Sequence, residues 1–287
     1  MYPARLLRRR TDGSIIWHEP TSDDVPVYAI LSHTWGKDEV TFDDLTVAVD
    51  MSKVELKAGW KKIQFCAKQA ARDGLEFFWV DTCCIDKKNS VELGEAINSM
   101  FRWYQNAARC YVYLADFPTP GTVADDHIAV LFKNCRWFSR GWTLQELLAP
   151  RSVEFFSAEG QRLGDKISFE IEIQEITRIP LEALRGALLS QFDIEDRMAW
   201  AAKRETTKSE DQAYSLMGIF DVFLPPIYGE GKENALRRLH EEVYKRYRKP
   251  GEGYLNTTTC SMQLANIQSY MDRQRIRVHA STTHFRI

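Results

Sequence analysis

The chain has 287 residues, 44% of them hydrophobic, with 38 Lys+Arg set against 40 Asp+Glu. That apolar fraction is enough for a sizeable buried core, and the formal net charge of −2 gives no electrostatic pull toward nucleic acid or an anionic membrane surface. There is no 18-residue apolar run, and the basic start (Arg8-Arg9-Arg10) has no long apolar stretch behind it, so neither a membrane span nor a secretory leader is expected and the cytoplasm is the expected compartment.

Val27 to Ser32 is a short apolar run that reads as a buried strand, ending in the polar turn His33-Thr34-Trp35-Gly36. Between Val54 and Arg72, the residues Trp60, Ile63, Ala67 and Ala70 recur three and four apart and trace an amphipathic helix, stopped by Gly74. Leu75 to Val80 is mainly apolar and ends at Asp81, as expected of a central parallel strand covered on both faces. Leu93, Ile97, Met100 and Tyr104 draw the next helix, followed by a strand at Cys110–Leu114. A helix holding Val130 and Leu131, a short helix at Trp142–Leu148 and a strand at Val153–Phe156 complete the alternation. Such alternation predicts an α/β fold with a doubly wound, mainly parallel sheet.

Beyond residue 165 the pattern turns helical. Thr207-Lys-Ser-Glu210 reads as a capping box, Tyr228-Gly-Glu-Gly231 as a turn, and 233–247 as a helix with Glu241 and Lys245 paired four apart. The expected organisation is a lead-in over 1–26, an α/β core over 27–165, a helical part over 166–249 and a loosely ordered tail over 250–287. Six cysteines are spread along the chain with no Cys-x-x-Cys pair and no matching histidine pair, so reduced thiols and no metal site are expected.

Three loops fall at the carboxyl ends of strands, where open parallel sheets bind ligands: 32–36, 81–87, and the one leading into Trp142-Thr-Leu-Gln-Glu146. They carry Ser32, His33, Trp35, Asp81, Asp86, Arg140, Trp142 and Glu146, several of them expensive to bury unless paired. None forms a Walker or Gly-x-Gly-x-x-Gly motif. His33 with Cys83 or Cys84 would suit a thiol protease only with a depressed thiol pKa and an orienting group.

Tyr28-Ala-Ile-Leu-Ser-His-Thr-Trp-Gly36, Trp79-Val-Asp-Thr-Cys-Cys-Ile-Asp-Lys87 and Arg140-Gly-Trp-Thr-Leu-Gln-Glu-Leu-Leu-Ala-Pro150 resemble the three signature blocks of the fungal heterokaryon-incompatibility (HET) domain. Ala96–Tyr104, Glu210–Phe220 and Tyr228–Gly231 fit the same family. The resemblance implies a cell-death effector that works with a NOD-like or other sensor protein. More distantly, Ser139-Arg-Gly-Trp142-Thr-Leu-Gln-Glu146 is similar to the Ser…Trp-Cys-x-x-Glu segment of TIR domains, with Thr143 where cysteine is usual. That likeness implies a flavodoxin-like fold, self-association, NAD as a possible substrate rather than a cofactor, and Glu146 as the catalytic residue.

Cleavage of a nicotinamide–ribose bond develops oxocarbenium character, and a carboxylate at Glu146 would stabilise it while holding ribose hydroxyls. Ser32, His33, Trp35, Asp81, Asp86, Arg140 and Trp142 are then the expected substrate contacts, Arg140 because a guanidinium forks onto phosphate. The plain alternatives are a Glu146 favoured by the first turn of its helix, strand-end residues satisfied within turns, Asp86 paired with Lys87 or Lys88, and Arg204, Glu205, Glu210 and Asp211 tying the helical part to the sheet. A rival function is a non-catalytic module that recruits an executioner through Trp103, Tyr104, Trp137 and Trp142 as surface anchors. Whether these aromatics line a pocket with Glu146 or form a flat patch separates the two.

Overall fold

The computed structural model describes residues 2–47, 51–118 and 125–247. Seven strands form one sheet: β1 (Leu6–Arg9), β2 (Ile15–His18), β3 (Tyr28–His33), β4 (Phe77–Trp79), β5 (Arg109–Tyr113), β6 (Val153–Phe156) and β7 (Arg162–Asp165). The helices of the α/β part are α1 (Phe42–Val47), α2 (Met51–Glu55), α3 (Trp60–Arg72), α4 (Ser90–Asn106), α5 (Asp125–Lys133) and α6 (Thr143–Leu148). After β7 come α7 (Glu170–Thr177), α8 (Leu181–Leu184), α9 (Ile194–Ala199), α10 (Asp211–Tyr214), α11 (Met217–Phe220) and α12 (Lys232–Tyr247).

The strand order is β2-β1-β4-β3-β5-β6-β7, with β4, β3, β5 and β6 parallel to one another. All six residues of β3 are buried, as a central strand flanked on both edges and both faces requires. Phe155 and Phe156 show the two faces, because successive strand side chains point opposite ways. Phe156 meets Phe65 of α3 at 4.9 Å, whereas Phe155 meets Phe132 of α5 at 5.0 Å and the buried Trp137 at 5.8 Å. The expected doubly wound α/β sheet is therefore present. From β3 the chain steps outward to β4 and then returns to β5 on the other side, so the order reverses beside β3. That reversal opens a crevice at the carboxyl ends of the strands.

The segment expected to be a lead-in supplies β1 and β2, a hairpin that extends the sheet antiparallel to β4. Strand β7 closes the far edge, also antiparallel. Two local expectations are corrected. Thr207 does not cap α10; Glu210 precedes that helix and sends its carboxylate to the backbone N–H groups of Gly229 (2.9 Å) and Gly231 (3.1 Å). Two tertiary bonds from amides beside positive-φ glycines outweigh one local cap. Lys245 pairs with Glu242 at 2.6 Å, while Glu241 lies 3.9 Å from Arg237. The tail expected over 250–287 lies outside the described residues, and among those described no helix is long and apolar enough to cross a membrane.

Candidate functional site

At the carboxyl end of β3 lies a cavity of about 370 Å³, within the range of small-molecule sites. Four parts of the chain wall it. The strand-end loops give His33, Trp35, Asp81 and Lys87; one face of α4 gives Leu93, Ile97, Met100 and Tyr104; the start of α6 gives Arg140, Trp142, Thr143 and Glu146; the helical part gives Thr207, Lys208, Asp211 and Tyr228. The α4 wall is mainly apolar and charged residues stand around it, a lining that can bury an apolar group and orient it by charge.

Glu146 is 8% exposed and forms no salt bridge with any described residue. Its carboxylate accepts a hydrogen bond from the buried Ser32 hydroxyl, which itself accepts the Trp137 indole N–H at 2.7 Å. Burial pushes the Glu146 carboxyl up to about 8; the Ser32 bond and the charge of Arg204 oppose that rise, and the charge of Asp81 adds to it. Arg204 is buried behind the site, its guanidinium donating to Thr143 Oγ1 at 2.7 Å and to the Arg140 carbonyl at 2.9 Å. Thr143 Oγ1 in turn donates within reach of the Trp137 carbonyl at 2.6 Å. The carboxyl-bearing turn is thus pinned from below by bonds that leave Glu146 facing the cavity.

Two matched clips line the cavity. In the first, Asp81 accepts from His33 Nε2 at 3.0 Å and from the Trp35 indole at 2.9 Å, and Lys87 Nζ sits 3.5 Å from the Trp35 ring centroid. Burial works against the charge on Asp81, but Lys87, His33 and Trp35 outweigh it and hold the carboxyl at about 2. In the second, Asp211 accepts from the Trp142 indole at 3.1 Å and the Tyr228 hydroxyl at 2.9 Å, and Lys208 Nζ sits 3.5 Å from the Tyr228 ring centroid. Burial raises the Asp211 carboxyl despite these donors.

Of the residues singled out from the sequence, His33, Trp35, Asp81, Arg140, Trp142 and Glu146 come together around the cavity. Ser32 lies one layer behind, fully buried, and touches the cavity only through its bond to Glu146. Asp86 is not brought in: its carboxylate accepts from the Lys88 backbone N–H at 2.9 Å and shapes the loop, in place of the expected side-chain pair with a lysine. Cys83 and Cys84 are both buried and neither lines the cavity beside His33, and desolvation pushes the Cys83 thiol up, which removes the thiol-protease arrangement. Trp103 and Trp137 are core residues, while Tyr104 and Trp142 line the cavity, so these aromatics form no flat exposed patch. Tyr104, Asp211, Tyr228 and Lys208 also line the cavity, although their sequence patterns are those of ordinary helix and turn residues. Asp211 was expected to hold the helical part in place; it does so by building the cavity wall.

The sequence profile of the family described as "Heterokaryon incompatibility protein (HET)" matches residues 28–121. The chain is 59% identical over 249 residues to "Vegetative incompatibility protein HET-E-1" of Podospora anserina, an alignment covering 84% of this chain and 18% of that protein. The chain therefore spans less than a fifth of the length of that curated relative. No solved structure matches it.

Proposed function

Because this chain belongs to the heterokaryon-incompatibility (HET) family, we propose that it is the effector part of an incompatibility system and that it kills by cleaving NAD at the nicotinamide–ribose bond when its copies associate. One observation carries the enzymatic reading: Glu146, a buried carboxyl without an ion-pair partner among the described residues, faces a cavity of small-molecule size. A carboxyl in that setting is held protonated by burial until a cation arrives. The pyridinium ring of NAD is such a cation, and so is the oxocarbenium centre that follows it. Substrate binding draws the carboxyl into its ionised form, its proton passing to solvent, and the carboxylate then stabilises the charge that develops on the ribose. The neutral nicotinamide leaves without needing a proton, and water completes the hydrolysis. The apolar α4 wall lowers the local dielectric and strengthens that attraction.

The half-exposed Trp35 and the cationic groups at the mouth suit an aromatic and phosphate-bearing ligand better than a protein surface. The recruiting-module reading needs an exposed aromatic patch, which Trp103, Tyr104 and Trp137 do not provide because all three are buried.

The test is NAD loss and nicotinamide release by the purified chain, concentrated or fused to an oligomerising tag, beside Glu146→Gln. Turnover by the parent that vanishes in the variant, together with loss of toxicity on overexpression, is the expected result. No turnover in either folded and assembled protein would replace this reading with recruitment of a separate executioner.

A further inference from the structure

The two clips differ in one respect that sets the orientation of a ligand. Lys87 stands 3.7 Å from the ionised Asp81, so its charge is answered within the wall. Around the second clip, neither Arg140 nor Lys208 has a carboxylate within salt-bridge distance among the described residues. Arg140 instead receives no more than a hydroxyl, donating to Thr207 Oγ1 at 3.0 Å, and Lys208 rests on the ring of Tyr228. The Arg140–Thr207 bond places a guanidinium next to the residue preceding Lys208 in the chain. Arg140 with no carboxylate in salt-bridge range, Lys208 with Asp211 acting on it only from beyond that range, and the Thr207 hydroxyl therefore share one part of the cavity lining.

The geometry points to a phosphate clamp at Arg140, Thr207 and Lys208 that takes the diphosphate of a dinucleotide substrate. This rests on the reading of the cavity as a nucleotide-cleaving site and adds its polarity. The diphosphate lies along the rim where the helical part (Thr207, Lys208) meets the start of α6 (Arg140), and the nicotinamide riboside end points down toward Glu146. A guanidinium matches two phosphate oxygens in its plane, whereas the ammonium adds a point charge and the hydroxyl one further donor. The helical part is then half of the substrate site.

The clamp is tested without turnover, by calorimetric binding of ADP-ribose and of adenosine to the full chain. Parent protein is expected to bind ADP-ribose. Arg140→Gln and Lys208→Gln should each weaken that binding about tenfold, as expected for loss of a charge-assisted bond. Lys87→Gln should change it less than threefold, and adenosine binding should change in none of them. Lys208 is exposed, so its variant reports on the clamp even if Arg140→Gln fails to fold. An ADP-ribose affinity unchanged by Lys208→Gln, or reduced more by Lys87→Gln, would overturn the clamp, as would failure of the parent to bind ADP-ribose. ADP-ribose held by the clamp in a protein that never cleaves NAD would uphold this inference and defeat the catalytic one; NAD cleavage with a charge-indifferent affinity would do the reverse.

Discussion

The Ser32 hydroxyl donates to the Glu146 carboxylate while its oxygen accepts the Trp137 indole N–H at 2.7 Å. The indole fixes the direction of the hydroxyl proton, because an indole N–H can only donate and so takes up an acceptor site of Ser32. Ser32 accordingly favours the ionised carboxylate, against a burial that pushes the group up to about 8. Removing the hydroxyl should drive the carboxyl higher still. For Ser32→Ala, the midpoint of the alkaline rise in NAD cleavage should move up by about 1–2 pH units, with activity at neutral pH falling about tenfold or more. A pH–rate profile of kcat/KM checks this. A uniform loss of rate with an unmoved midpoint would assign Ser32 to packing alone.

The same carboxyl should leave a mark on stability. Its folded-state pKa of about 8 exceeds the ordinary value of 4.5, so between those values the folded chain holds a proton that the unfolded chain releases. Stability from this group is fully present below the lower value and is lost as pH rises through the upper one. Glu146→Gln removes the titration while keeping the shape. The variant should be more stable than the parent at pH 8, by on the order of 2 kcal/mol, with the gap closing toward pH 4.5. Urea unfolding across that range reads it directly.

Much of this arrangement is legible in the sequence. Strands β3 and β5 announce themselves as short apolar runs, since strands buried on both faces need no polar alternation. Glu146 and Trp142 stand in a readable block at a strand's carboxyl end. Strand β1, Leu6-Leu7-Arg8-Arg9, does not: two apolar and two basic residues become a strand only through pairing with β4, a contact 70 residues away in the chain. The far wall of the cavity fails for the same reason. Asp211, Lys208 and Tyr228 carry ordinary helix and turn patterns, and their meeting with Trp142 is a tertiary fact. The sequence Thr207-Lys-Ser-Glu210 satisfies a local capping rule, yet the long-range bonds from Glu210 to Gly229 and Gly231 override it.

The joint between the α/β core and the helical part is tight at Gly141. Its backbone N–H donates to the Glu205 carbonyl at 2.8 Å, and a Cβ added there would stand 2.3 Å from Thr206 Cγ2. A β-branched side chain has little rotamer freedom with which to retreat. Gly141→Ala should therefore cost about 1–3 kcal/mol in urea unfolding. Adding Thr206→Ser removes the offending methyl while keeping the hydroxyl that donates to the Lys208 carbonyl at 2.6 Å. The double variant should regain at least half of the loss. No recovery would locate the strain in the backbone of the joint.

Glu210 governs the wall from a distance, through the turn that carries Tyr228. Its Oε1 takes both glycine N–H groups, and its own backbone amide foremost, with those two bonds, holds the carboxyl at about 2, well below the ordinary 4.5. A group with a depressed folded-state pKa contributes stability that is present above 4.5 and drains away as pH falls toward 2. Glu210→Gln keeps an oxygen able to accept from both amides but loses the charge, so its bonds should be about half as strong. The parent should thus exceed the glutamine variant in urea midpoint at pH 7, and the difference should narrow at pH 3.5. Glu210→Ala removes the acceptor altogether. It should weaken ADP-ribose binding as well as stability, because Tyr228 then no longer holds Asp211 and Lys208 in place. An alanine variant that loses stability but binds ADP-ribose as the parent does would show that the turn shapes the fold and not the site.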